Sequence, residues 1–159
     1  MSEIEIRFNA ASLIARLEKI GQVAQLRFAV QAAALDLLEK LSEYPPASEG
    51  NQPGRYSIKT RRPMGYYIRG TGSVSPSGKV YHTSETLNRR WTHKMLGAPD
   101  IGAQIGNNAS YAKYVVGDEQ AYFHGRRGWK TARQVLEENR DRLLSFIEVA
   151  VEKLTRGAA

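Results

Sequence analysis

Thr131-Ala132-Arg133-Gln134 opens the segment that most restricts how this 159-residue chain can fold. The spacing is that of a capping box, in which the Thr hydroxyl and the Gln side chain satisfy reciprocal backbone donors at a helix start. Ala132, Val135, Leu136, Leu143, Phe146, Ile147, Ala150 and Leu154 then recur at helical intervals, and Gly157 follows as a C-terminal stop. The pattern predicts one helix of about 25 residues, roughly 37 Å long at 1.5 Å per residue. A helix of that length with one apolar stripe must bury the stripe, so the rest of the chain has to supply a partner layer.

The N-terminal third offers candidates for that layer. Ile4, Ile6 and Phe8 alternate with Glu3, Glu5 and Arg7, the period-2 signal of a short strand with one apolar face. Asn9 can cap a helix that carries Leu13, Ile14, Leu17 and Ile20, interrupted at Gly21. A second stripe follows at Val23, Leu26, Val30, Ala33, Leu37 and Leu41. The pattern is that of one kinked helix or two consecutive ones over residues 11–43, stopped by Pro45-Pro46. The length favours a single domain spanning residues 1–159.

Residues 46–82 change character. Gly and Pro punctuate two β-prone pieces, Tyr56–Arg62 and Gly65–Arg69, which predict a basic arm or hairpin insertion that orders on assembly. Thr83 or Ser84, with Glu85 in the first turn, predicts a short helix carrying Leu87, Trp91 and Met95 on one side. Ile101–Ile105 reads as a strand, and Tyr111–Val116 as another ending at Gly117-Asp118. The expected fold class is α+β. A small antiparallel or mixed sheet packs against a long N-terminal helical segment and a long C-terminal helix, with a protruding basic β-arm.

Chemistry is sparse. The chain has no cysteine, which removes disulfides, thiolate catalysis and Cys-based zinc sites. No run of eighteen apolar residues marks a membrane span, and the acidic start Met1-Ser2-Glu3 lacks the apolar core of a signal peptide, pointing to folding in a cytoplasm. His82, His93 and His124 fall in no HxxxH or HExxH spacing, and His124, before Gly125-Arg126-Arg127-Gly128, reads as a solvated or hydrogen-bonding loop residue. Ser84 lies near His82 and Glu85, but no nucleophile elbow surrounds it and capping explains it. Gly70-Thr71-Gly72 lacks the third glycine of a dinucleotide fingerprint. No catalytic residue, metal or cofactor is assigned, and the expectation is a protein that is not an enzyme.

Charge is the strongest functional signal. Residues 51–94 carry nine Lys/Arg against one acidic residue, whereas residues 1–50 carry five against seven. The cations are Arg55, Lys59, Arg61, Arg62, Arg69, Lys79, Arg89, Arg90 and Lys94, interleaved with Tyr56, Tyr66, Tyr67, Tyr81 and Trp91. Such a mixture suits phosphate contact and base stacking, so a nucleic-acid-binding module is one reading. It equally suits a protein interface, where Tyr, Trp and Arg dominate the binding energy, or an ordinary solvated surface. The lack of a recognition helix or RNA-binding signature favours protein. The eight from Arg55 to Arg90 are the candidate contacts with a partner or with DNA in a lumen.

The stretch Ala103-Gln104-Ile105-Gly106-Asn107-Asn108-Ala109-Ser110-Tyr111-Ala112-Lys113-Tyr114-Val115-Val116-Gly117 resembles a family of phage virion-morphogenesis proteins. These are the small tail-component, tail-completion and head–tail joining proteins of long-tailed phages. The continuation from Gln120 through Gly128-Trp129-Lys130-Thr131 looks like one recurrent subtype, and Ser84–Trp91 is similar to the family's short helix, with Glu85 where many members have glycine. The resemblance implies a structural subunit that forms a ring, a hexamer, at the head-proximal end of a tail. Its implied partners are further copies, the tail-tube protein and head connector or stopper proteins, with passing contact to genomic DNA and none to membrane. Its implied place is the virion, after assembly in the host cytoplasm. Tyr111, Ala112, Tyr114, Val115, Gly117 and Trp129 are its framework residues, and Tyr114, Trp129 and Phe146 are expected in the core.

Overall fold

A computed structural model describes residues 2–8, 23–43, 51–68, 70–82, 86–97 and 101–156. The expected elements at 9–22, the Pro45-Pro46 stop, Arg69, the capping residues Thr83, Ser84 and Glu85, and Gly157 lie outside the described residues. The fold is α+β, with two small antiparallel sheets and two long helices.

The main sheet holds β1 (Ser2–Phe8), β5 (Trp91–Met95) and β6 (Ile101–Asn107) in the order β1-β6-β5, all antiparallel. The register pairs Ile4 with Ile105, Ile6 with Ala103 and Phe8 with Ile101, while Glu3 and Glu5 stand opposite Gly106 and Gln104. The alternation read at the N-terminus is thus in phase with that of β6, whose Ile101, Ala103 and Ile105 are fully buried or nearly so. A slip of one residue would put the two alternations out of phase.

Helix α1 (Val23–Ser42) is the middle layer, packed on β5 and β6 with one side and on α6 (Arg140–Arg156) with another. That double contact explains why Leu26, Val30, Ala33, Ala34, Leu37 and Leu41 are all buried, a wider stripe than one interface requires. Small Ala33 and Ala34 permit close approach of neighbouring layers. On α6, Leu143, Ile147 and Leu154 are buried. A bidentate pair from Arg142 to Asp36, with Nε to Oδ2 at 2.9 Å and Nη2 to Oδ1 at 2.6 Å, fixes α6 along α1.

Three local expectations are corrected. Trp91–Met95 is strand β5, not an extension of the short helix α2 (Thr86–Arg89). Leu87, Trp91 and Met95 fit a helical period, but Trp91, His93 and Met95 fit period 2 as well, and pairing with β6 decides between them. Tyr111–Val116 is not a strand but contains the single-turn helix α3 (Ala112–Val115). Its buried residues Ala112, Val115 and Val116 stand at i, i+3 and i+4, and Val116 and Gly117 donate back to the Ala112 carbonyl. The C-terminal helix is divided into α5 (Ala132–Glu138) and α6 at Asn139. The Asn139 side chain donates to the Val135 carbonyl at 2.7 Å, in competition with the helical backbone bonds. The capping box itself forms as read, with Gln134 N to Thr131 Oγ1 at 3.2 Å and Thr131 N to Gln134 Oε1 at 2.8 Å.

The end of β6 is fastened by a buried side chain. Asn107 is 1% exposed; its Nδ2 donates to the Leu87 carbonyl at 2.7 Å and its Oδ1 accepts from Ala109 N at 2.9 Å. One amide thereby joins α2, β6 and the turn into α3. Asn107→Ala leaves the Ala109 N–H buried without its partner and the Leu87 carbonyl with only the long bond from Arg90 N at 3.4 Å, and is expected to lower stability by about 1–3 kcal/mol. Asn107→Asp at neutral pH sets a buried carboxylate against the Leu87 carbonyl and should unfold at least as readily as Ala in urea.

Candidate interaction surface

The predicted arm folds into a second sheet of β2 (Tyr66–Ile68), β3 (Gly72–Val74) and β4 (Val80–His82), antiparallel in that order. Its two edges differ. Along β2, the Asn51 side chain pairs both backbone groups of Tyr67, donating to the carbonyl at 2.9 Å and accepting from the N–H at 2.7 Å. An amide takes the place of a neighbouring strand there. On β4, Val80, Tyr81 and His82 are all exposed, and no strand pairs with its outer side among the described residues.

A tight hairpin precedes this sheet. Tyr56 bridges Pro63, Met64 N donates to the Arg55 carbonyl at 2.8 Å, and Ser57 N donates to the Arg62 carbonyl at 2.9 Å. Buried Ser57 closes the tip, its Oγ accepting from Thr60 N at 3.2 Å and its carbonyl from Arg61 N at 2.8 Å. Ile58, Lys59, Thr60, Arg61 and Arg62 project from it, and Ile58 is 90% exposed. Arg61 has φ +54°, the left-handed region that side chains beyond glycine rarely enter.

The second sheet joins the body through aromatic rings. Tyr67 meets Trp129 edge to face at 6.1 Å, and Trp129 lies 5.2 Å from the His124 ring, which in turn contacts Phe123 at 4.2 Å. This row runs from buried Trp129 outward along α4 (Tyr122–Arg126) to Phe123, 54% exposed, and Tyr122, 79% exposed. Arg126 stands over the Tyr122 ring at 5.5 Å and Arg127 over Phe123 at 5.9 Å. Gly65 allows the closest approach. A β-carbon there would fall 2.6 Å from the Val74 carbonyl oxygen and 3.2 Å from Arg127 Nη2, so the half-buried guanidinium rests at the base of the hairpin.

The loop before α4 is held from within. Gln120 Nε2 donates to the Val115 carbonyl at 2.7 Å and the Trp129 carbonyl at 3.0 Å, and Ala132 N donates to the Val116 carbonyl. Among the six framework residues, Ala112, Val115, Gly117 and Trp129 are buried, whereas Tyr111 and Tyr114 are exposed. The expectation that Tyr114 belongs to the core is therefore corrected; its ring lies under Lys113 Nζ at 4.6 Å, at the surface. Phe146 is half-buried against the core.

Of the sequence-selected cations, Arg55 is half-exposed and Lys59, Arg61, Arg62, Lys79, Arg89 and Arg90 are exposed; none makes an ion pair among the described residues. Arg126, Arg127, Tyr122 and Phe123 were not selected, because they lie outside the basic segment and only the fold brings α4 to the hairpin. No cluster of His, Asp and Glu able to hold a metal ion occurs among the described residues, and no helix there is long and apolar enough to cross a membrane. Compared with known proteins, the chain matches no family model, no curated protein and no solved structure.

His124 is not a solvated loop residue. Its ring is half-buried between Phe123 and Trp129, and Nδ1 is buried with no hydrogen-bond partner among the described residues. Burial, and then the charge of Arg127, push its pKa down to about 4. The unfolded chain, with an ordinary value of 6.5, binds more protons across that interval. The contribution to stability is therefore complete above about pH 6.5 and is lost as pH falls through the window to about 4. After allowance for solvent screening, the loss is on the order of 1–2 kcal/mol. His124→Phe should flatten this part of the stability profile, read from urea unfolding at pH 7 and pH 5.

Proposed function

We propose that this chain is a structural, non-enzymatic subunit of a tailed-bacteriophage particle, forming a ring at the head–tail junction. Its work there is tail completion, tail termination or head–tail joining. In this reading its partners are further copies in a hexamer, the tail-tube protein on one side and head connector or stopper proteins on the other. It folds in the host cytoplasm and ends in the virion.

The observation that carries the reading is the exposure of four aromatic residues in the very segment that resembles the virion-morphogenesis family. Tyr111, Tyr114, Tyr122 and Phe123 all stand at the surface, while Ala109, Ala112, Val115, Val116 and Trp129 of the same segment are buried. Exposed rings gathered in this way suit a partner surface, because interfaces draw most of their energy from Tyr, Trp and Arg. The open outer edge of β4 is a second asset for assembly, because unpaired strand groups are a template for another chain. A ring needs two different patches on each copy that meet head to tail and close after a fixed rotation. The aromatic surface of α4 and the β4 edge are two such patches.

The test is the size of the purified protein as concentration rises, by mass photometry and negative-stain imaging, alone and with tail tubes. Closed rings are expected. Tyr122→Ser, at a ring 79% exposed, should weaken assembly about tenfold while unfolding as wild type does. A strict monomer at every concentration that also ignores tail tubes and connectors would end the proposal.

A further inference from the structure

The 55–64 hairpin is a cationic surface, and Arg127, from a distant part of the chain, lies at its base. Residues 51–82 contain no Asp or Glu. Arg55, Lys59, Arg61 and Arg62 on the hairpin make no ion pair among the described residues. Arg127 lies against Gly65, the residue after Met64, whose N–H holds the Arg55 carbonyl. The nearest acidic residues of the preceding loop are engaged elsewhere, Glu119 with Lys113 and Asp118 facing Arg133.

We propose that this hairpin is a contact site for the phosphate backbone of duplex DNA, without sequence preference. The inference goes beyond the ring reading and holds whether or not the chain forms a ring. Three features carry it.

The first is unbalanced charge at a protruding tip. Collecting cations without counter-ions costs stability through mutual repulsion, and a duplex, with one negative charge per about 1.7 Å of axis, relieves it by releasing condensed ions. The second is shape. A two-stranded ribbon is one of the elements a major groove admits, and the paired arms at Arg55–Ser57 and Arg62–Met64 form such a ribbon. The third is the backbone of Arg61. The left-handed region costs a residue with a side chain on the order of 1 kcal/mol, and glycine would adopt it freely. Strain of this kind persists where it serves a site, and here it retains a guanidinium at the apex.

A single-stranded ligand is disfavoured. Its sites present open aromatic faces to successive bases. The rings of Tyr122 and Phe123 already carry Arg126 and Arg127 above them, which leaves Tyr56 as the exposed ring on the hairpin itself. Asn and Gln, the usual readers of adenine, are absent from the tip, and Ser57 is buried and used internally.

The experiment measures binding of the full chain to a labelled random-sequence duplex across salt, from about 50 to 200 mM. The four hairpin cations give a slope of log K against log salt of roughly −3.6 at most, and the expected value lies between about −2.5 and that limit. Lys59→Gln, Arg61→Gln and Arg62→Gln together should reduce the slope by roughly 2.5 to 3. Arg61→Gly separates binding from folding: it relieves the strained φ and should leave the thermal midpoint equal or higher while affinity falls several-fold. Absence of duplex binding at the lowest salt overturns the proposal, as does a triple variant that binds with unchanged slope. Displacement of the duplex by poly-glutamate at equal charge concentration would reassign the surface to an acidic protein. Preference for a single strand of the same sequence would equally overturn it.

Discussion

The buried amide of Asn107 is the constraint on which the rest of the structure depends. β6 is the central strand of the main sheet, so its far end must be finished where β1, β5, α2 and the turn into α3 all converge. A polar group buried there without partners would cost more than it returns, and Asn107 has both its donor and its acceptor satisfied. With that end fixed, Asn108 N can reach the Arg90 carbonyl, and the chain turns into α3 with Ala112 fully buried. From α3 onward, Gln120 and the backbone bond from Ala132 to Val116 set where α5 begins, and so where α6 lies along α1.

A second joint hangs from the first. The small sheet is too short to hold itself, since two or three strands of three residues bury little. It is held instead by Tyr67 on Trp129 and by Arg127 against Gly65, while Trp129 is placed by the Gln120 network. The same row of rings encloses His124 and drives its pKa down. Trp129 and Arg127, which attach the small sheet, thus also border His124.

Elements governed by neighbours in the chain were legible. The alternation of Ile4, Ile6 and Phe8 lies in register with β6, the stripe from Leu26 to Leu41 forms α1, and Thr131 and Gln134 cap α5 as their spacing requires. Where one pattern served two periods, reading the chain alone failed. Tyr111–Val116 has apolar residues that fit a strand, yet Ala112, Val115 and Val116 face inward together only in a helical turn. Trp91–Met95 shows the reverse, a helical spacing overruled by pairing with Ala103–Asn107 in β6. Asn139 lies within the stretch expected to be one helix of about 25 residues, and its competition for the Val135 carbonyl is a matter of rotamer.

The amino-acid sequence by itself determined the class of fold, the concentration of positive charge between residues 51 and 94, and the lack of any cysteine chemistry. Those properties are sums or short-range periods, and neither needs a third dimension. Only the tertiary structure decided that Arg127 lies at the base of the hairpin, that Tyr114 and Tyr122 face outward, and that His124 is enclosed. The C-terminal helix shows both halves of this division. Its capped start is written in four adjacent residues, because capping is a bond between near neighbours. Its alignment on α1 through Asp36 and Arg142 joins residues from opposite ends of the chain, and packing alone brings them together.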